Sequence, residues 1–369
     1  MKKLFSVLIC AILLLSVMPV FAYAADKVVY VKDGGTGDGS SPDKAVGTIV
    51  DAFAAMGDSG TIVVCGKLTL SGNTLGLPKW AGTITITSIY GGTNYITSAA
   101  AELYFAGAYR LIFSGAVTME NITFSIPDSI LIVANYNKIV MGEGITVNQY
   151  SGSKGIYLVG GTQNGVEGEF TARDLNSNIV IKSGAYYLIS AFSRQINDNY
   201  TGHGRIDVYG GTINLLLAGP VNNGTGASAE LNIYGGEIAT VGLAGLASNS
   251  SVLIKGDTVV NLYGGQINSF DTFGVEGKSI LNYTTGAQTG IEILTIGFTD
   301  VNKISAPAET TAASTTAAST TTASATTAAS TGDSTAPSTL DSAVIMTAAA
   351  LIALLTVTVI SKKRSAHSN

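Results

Sequence analysis

Two histidines, two cysteines and one tryptophan are all that 369 residues hold of these types, and only 12% of the chain is charged. Each scarcity excludes something. His367 lies in a basic tail, so His203 stands alone in the body; Cys10 lies in an N-terminal apolar run, so Cys65 does too. One histidine and one cysteine do not make a usual zinc ligand set. A single cysteine makes no internal disulfide, and Cys65 ends the apolar run Thr61-Ile62-Val63-Val64, which suits a buried small hydrophobe better than a nucleophile. No cluster of three or more acidic residues is visible for calcium. Asp33 and Asp38 in a Gly-rich opening are the one candidate pair, and a solvated turn accounts for them. No metal or other cofactor is therefore expected. All 25 acidic residues fall between positions 25 and 341, against 15 basic ones there, which gives that part a net charge of −10. This argues against nucleic acid and against anionic lipid headgroups as partners.

The two ends speak of location. Lys2 and Lys3, an apolar run from Leu4 to Val20, and Ala22-Tyr23-Ala24 read as a secretory signal peptide over 1–24. Residues 343–360 are apolar or small and carry no charge; 18 helical residues reach ~27 Å, close to a bilayer's hydrocarbon thickness. Lys362, Lys363 and Arg364 follow, and basic residues stay on the cytoplasmic side. The expectation is a transmembrane helix over 342–361, a cytoplasmic tail over 362–369, and a body on the extracellular face. Before the span, 18 of the 34 residues in 306–339 are Ser or Thr and 11 are Ala. Such a composition cannot build a core and predicts an extended stalk over 305–341. The order of stalk, span and basic tail also resembles a Gram-positive cell-wall sorting signal. Its Leu-Pro-x-Thr-Gly element is imperfect here: Leu340 follows Pro337-Ser338-Thr339 where Gly is required. A retained membrane anchor and a sortase-linked wall attachment both stay open.

What the chain has in abundance is glycine, 44 residues, set in a repeated phrase. Ile206-Asp207-Val208-Tyr209-Gly210-Gly211-Thr212-Ile213 returns as Leu231-Asn232-Ile233-Tyr234-Gly235-Gly236-Glu237-Ile238. It returns again as Val260-Asn261-Leu262-Tyr263-Gly264-Gly265-Gln266-Ile267. A worn copy matches Lys182 to Tyr209, and Ile89-Tyr90-Gly91-Gly92 is a more distant echo. Short apolar or alternating runs recur between Gly and Asn punctuation, including Thr83–Ile86, Leu103–Phe105, Ile130–Val133, Ile179–Ile181 and Ile291–Leu294. A period of 25 to 29 residues with only short strands predicts an all-β fold: one right-handed parallel β-helix of about ten coils over 25–304. Ser41, Pro42 and Asp43 predict the start of a single helix presenting Val46, Ile49, Val50, Phe53 and Met56 on one face and covering the first coil.

Tyr30-Val31-Lys32-Asp33-Gly34-Gly35-Thr36-Gly37-Asp38-Gly39, then the helix, then Gly60-Thr61-Ile62-Val63-Val64, resembles the opening of pectate-lyase-like right-handed β-helix proteins. The Tyr-Gly-Gly coils resemble those of surface proteins of Gram-positive bacteria with this fold. The resemblance implies the fold over about 26–300. It leaves activity open, since the fold carries lyases, glycosidases, adhesins and inert spacers.

Two sets of residues are candidates for function. Alternation turns Ile206 and Val208 inward, so His203, Arg205, Asp207 and Tyr209 share the outward side of one strand. A base beside a carboxylate suits acid–base cleavage of an acidic sugar chain. The structural alternative is an ion pair between Arg205 and Glu230 on the next coil. Gly202-His203-Gly204 before Arg205-Ile206 is similar to fragments of polygalacturonases, but the Asp-Asp and Asn-Thr-Asp of that family are missing. The second set is a column: Tyr209, Tyr234 and Tyr263, flanked by Asp207, Asn232 and Asn261 and by Thr212, Glu237 and Gln266. Aromatic faces beside hydrogen-bonding groups suit sugar rings; stacked rings and amides also simply hold coils together. Expected partners are an extracellular glycan or a host or cell-wall surface. The reading is a non-catalytic adhesin or glycan-binding protein. A polysaccharide lyase or glycoside hydrolase and a structural surface spacer are the alternatives.

Overall fold

Period-two alternation buries one side of each short run, and buried sides must meet. The computed structural model describes residues 27–107, 109–149, 155–162, 176–194, 202–222, 224–245, 252–287 and 295–305. The segments read from the sequence as signal peptide, span and tail, nearly all of the stalk, and the run Ile291–Leu294 lie outside the described residues. No described helix is long and apolar enough to cross a membrane.

The described residues form an all-β structure of parallel sheets. An eleven-stranded sheet takes its strands in chain order from Val28–Val31 to Asp300–Ile304, each paired with the corresponding strand of the next winding. An eight-stranded sheet and a four-stranded sheet, also parallel, take up other strands of the same windings. This stacking is β-helix-like.

The pairing registers align inward residues into columns. Ile84, Val117, Ile139, Ile179, Ile206, Leu231, Val260 and Leu281 follow one another from winding to winding. All are at most 1% exposed. Burial of each such side chain contributes roughly 1.5–3 kcal/mol, so the column of apolar residues is the main cohesive element. A second column runs parallel to it through Ile62, Ile86, Met119, Met141, Ile181, Val208, Ile233 and Leu262.

The windings change shape along the chain. In the first half a strand of the long sheet is followed by one in the four-stranded sheet and one in the eight-stranded sheet, as in Ala116–Glu120, Thr123–Ile126 and Ile130–Val133. The last strand of the four-stranded sheet is Thr146–Gln149. From Ser177–Ile181 onward a three-residue corner links long sheet and eight-stranded sheet directly: 182–184, 209–211, 234–236 and 263–265. The repeated phrase is this corner.

Its two glycines answer different demands. Gly211, Gly236 and Gly265 sit at φ near +90°, where a side chain is strained. Gly235 is needed for space: a Cβ there would lie 2.4 Å from the carbonyl oxygen of Tyr209 one winding away. Ser183 fills the corresponding place in the worn copy, where its hydroxyl donates to Gly142 O at 2.7 Å. The earlier echo at Tyr90 is not part of the column. Ile89–Tyr90 and Thr93–Asn94 form a small antiparallel hairpin, and Tyr90 meets Tyr30 edge-on at 6.4 Å.

The start of the fold departs from expectation in several respects, and the helix there is not single, since Tyr95–Ala99 forms a second short one capped by Asn94. Pro42–Lys44 is a single 3₁₀ turn, and the Ser41 side chain caps nothing. Val46 is drawn into a bridge with Val31, so the helix begins later, at Ile49–Met56. Thr48 caps it by accepting from Asp51 N at 3.1 Å. Ile49, Ala52, Phe53 and Met56 are buried, whereas Val50 is 37% exposed. Phe53 packs on Trp80 with ring centroids 4.8 Å apart. The free edge of Val28–Val31 is covered by the segment 39–46 rather than by the helix: Tyr30 N donates to Gly39 O, and Val46 N to Tyr30 O.

Gly235→Ala should destabilise the fold by about 2 kcal/mol or more, because backbone must move. Gly286→Ala, with φ +77° but open space around it, should cost about 1 kcal/mol. Chemical unfolding of the two variants beside the parent checks the order; equal losses would contradict the close-approach account.

Candidate functional site

The strand His203–Val208 puts Ile206 and Val208 into the core, which turns the intervening side chains outward. Outward does not mean accessible. Asp207 is 8% exposed and Asn232 is 2% exposed. Both stand between the tyrosine column and the Arg205–Glu230 row, and they are occupied with each other.

Register places Asp207, Asn232, Asn261, Asn282 and Asn302 in one line. Asn232 Nδ2 donates to Asp207 Oδ1 at 2.8 Å, and Asn261 Nδ2 to Asn232 Oδ1 at 2.8 Å. Asn282 Nδ2 donates to Asn261 Oδ1 at 2.8 Å, and Asn302 Nδ2 to Asn282 Oδ1 at 3.0 Å. Every amide donates toward the N-terminal winding. The line must end in an acceptor, and it ends at a carboxylate. Register puts Val180 opposite Asp207 on the preceding winding, and Val180 has no acceptor to offer. Arg205 Nε donates to both Asp207 oxygens at 3.1 Å and balances the charge. That bond, with the nearby carboxylates, raises the guanidinium pKa further above its ordinary value.

The other catalytic candidates are also committed. Arg205 Nη1 lies 3.7 Å from Glu230 Oε2, and His203 Nε2 lies 3.8 Å from the same oxygen. His203 Nδ1 is 2.9 Å from Ser228 Oγ. Asn261 Nδ2 donates to Glu230 Oε1 at 3.3 Å as well. His203, Arg205 and Asp207 are thus brought together, but as members of a network that runs into the ladder. His203 and Arg205 keep side-chain exposures of 43% and 42%.

The tyrosines stack. Tyr209 and Tyr234 have centroids 4.6 Å apart and planes 5° apart; Tyr234 and Tyr263 are 4.8 Å and 17° apart. These spacings are the strand spacing itself. The rings therefore spend their inner faces on each other, as the coil-holding alternative for the column requires. Tyr209 remains 49% exposed. Beside the rings, Thr212, Glu237 and Gln266 align on the eight-stranded sheet and are all exposed.

Asn282 and Asn302 escaped the sequence reading because no Tyr-Gly-Gly follows them and the steps to them shorten to 21 and 20 residues. A usable signal was there: a lone Asn between apolar residues in Leu281-Asn282-Tyr283 and before Lys303 in Val301-Asn302-Lys303.

Elsewhere, Asp33 accepts from Thr69 N at 2.7 Å and Thr69 Oγ1 at 2.6 Å. Asp38 accepts from Ser40 N and Oγ, which holds its carboxyl below the usual range. Among the described residues no group of three or more His, Cys, Asp or Glu is placed to hold a metal ion. Cys65 is buried and free, its Sγ 3.5 Å from Val31 O, and burial pushes its thiol pKa up. No family model, curated protein or solved structure matches the chain.

Asn232→Ala should cost about 2–4 kcal/mol, because it leaves Asn261 Nδ2 without its ladder acceptor and removes a donor from Asp207. Asp207→Asn should cost about 1–3 kcal/mol, because the new amide meets Val180 and the charge facing Arg205 is lost. Denaturant unfolding checks both; an unchanged midpoint in Asp207→Asn would contradict the polarity of the ladder.

The phenols of Tyr234 and Tyr263 are raised above the ordinary value, first by burial and then by neighbouring charge. Burial pushes Tyr186, whose hydroxyl donates to Ser183 O at 2.8 Å, much further up. A raised folded value means that the folded state holds the proton more tightly. The resulting stability is present below the unfolded phenol value of about 10 and is lost as pH rises through the folded values. Unfolding midpoints should therefore fall above about pH 10, and Tyr186→Phe should lessen the fall; a flat profile to higher pH would contradict this.

Proposed function

We propose that the chain is a non-catalytic cell-surface protein: a right-handed, pectate-lyase-like β-helix that binds extracellular glycan and is held away from the membrane by its stalk. The observation that carries the reading is the commitment of the acid–base candidates. Arg205 serves Asp207 and Glu230, and Asp207 terminates a line of amides. A carboxylate that is 8% exposed cannot approach a polymer without breaking that line. The exposed groups of the same face suit adsorption to a sugar chain: the Tyr209 ring, and the polar row Thr212, Glu237 and Gln266. The secretory leader, stalk and span read from the sequence support an outer location.

A spacer without a ligand is the second reading. It is favoured by the same self-satisfaction, since stacked tyrosines and an amide ladder stiffen a rod whether or not anything binds to it.

Incubating the full chain with neutral and acidic polysaccharides, with and without calcium, separates the readings. The expected result is retention on at least one polymer with no new reducing or unsaturated ends. New ends that disappear in Arg205→Ala would replace the proposal with a polysaccharide-cleaving enzyme. Neither retention nor cleavage would leave the spacer.

A further inference from the structure

Tyr209 is the most exposed ring of the tyrosine column, at 49%, whereas Tyr234 and Tyr263 are partly buried. Tyr234 is covered on both sides by Tyr209 and Tyr263. Beyond Tyr263 comes Thr284, 7% exposed, whose Oγ1 bonds Tyr263 O at 3.2 Å. Tyr209 presents its second face to the winding before it. There the pairing of Ile181 with Val208 puts Lys182 in the tyrosine's place, and Lys182 is exposed. One winding further the pairing of Met141 with Ile181 puts Gly142 in the column, and it has no side chain. Glu120 follows; a Cβ on Gly142 would lie 3.4 Å from Glu120 Oε2, so the glutamate side chain reaches across that step. Lys182 is thus the sole side chain of this column between the Tyr209 ring and Glu120.

We infer that the step at Lys182 is a subsite for one neutral pyranose ring, stacked on the free face of Tyr209 and continuing the column by one place. This rests on the glycan-binding reading and narrows it. The column repeats every 4.6 to 4.8 Å, a separation at which a sugar ring packs its C–H face on an aromatic plane. Lys182 donates to ring hydroxyls and Glu120 accepts from them. Their charges cancel, so the step asks for no charge on the sugar. The flexible lysine stem swings aside at little cost, as an exposed side chain with no side-chain partner among the described residues to hold it in one rotamer.

The test uses the full chain, with Tyr209→Ala and Lys182→Tyr variants, on an array of neutral hexose, N-acetylhexosamine and uronate oligosaccharides. Lys182→Tyr adds a fourth ring to the stack and closes the face without removing anything from the fold. The expected result is binding of a neutral oligosaccharide by the parent and at least a tenfold loss in each variant. The thermal midpoint of Lys182→Tyr should be no lower than the parent's. Parent binding that persists in both variants overturns this subsite and leaves glycan binding elsewhere on the chain intact. Binding of uronates alone overturns the neutral assignment. A parent that binds nothing on the array overturns the glycan-binding reading and the subsite with it.

Discussion

Parallel pairing in chain order sets every other feature of this protein. When a strand lies in register on the one before it, equivalent residues become vertical neighbours about 4.8 Å apart. Where the phrase repeats, a residue then meets its own kind. Apolar residues at Ile206, Leu231 and Val260 become a continuous core column. Tyrosines become a stack, asparagines become a ladder, and a corner must clear the corner beneath it. The pair of glycines is the clearest consequence. One supplies a conformation, at φ near +90°, and the other supplies the space that the neighbouring Tyr carbonyl requires.

The ladder adds direction to this repetition. Aligned amides all donate the same way, so the N-terminal end of the line presents N–H groups and calls for an acceptor, much as a helix N-terminus favours an anion. Asp207 stands at that end, and Arg205 neutralises it. The carboxylate among the catalytic candidates is the terminus of a dipolar stack. The stack and the ladder begin on the same winding. The winding before carries Val180 and Lys182 in place of Asn and Tyr, and it also stands next to the change from three-sheet windings to the shorter Gly-Gly corner.

Much of this was legible in the sequence. The repeated phrase predicted stacked windings, and the matching of Lys182 to Tyr209 agrees with the observed register. The pairing of Arg205 with Glu230 across a 25-residue step was also readable. Alternation assigned the outward side correctly but could not distinguish an outward side chain from an accessible one. Burial of Asp207 and Asn232 depends on their neighbours in the adjoining rows, which no single strand contains. Ring orientation was equally hidden: a column of tyrosines is compatible with edge-on or face-on packing, and the 4.6 Å step selects face-on. The late helix start had a local reason that needed the fold, since Val46 bridges to Val31 instead of beginning a turn.

The central claim is that the asparagine side chains of this face are structural bonds rather than a free binding surface. Hydrogen exchange of the side-chain amides in protein labelled with ¹⁵N at asparagine tests it most directly. The account predicts that Asn232 and Asn261 Nδ2 protons exchange slowly, with protection approaching that of the backbone amides of the long sheet. Exchange of both at the rate of an exposed amide would contradict it.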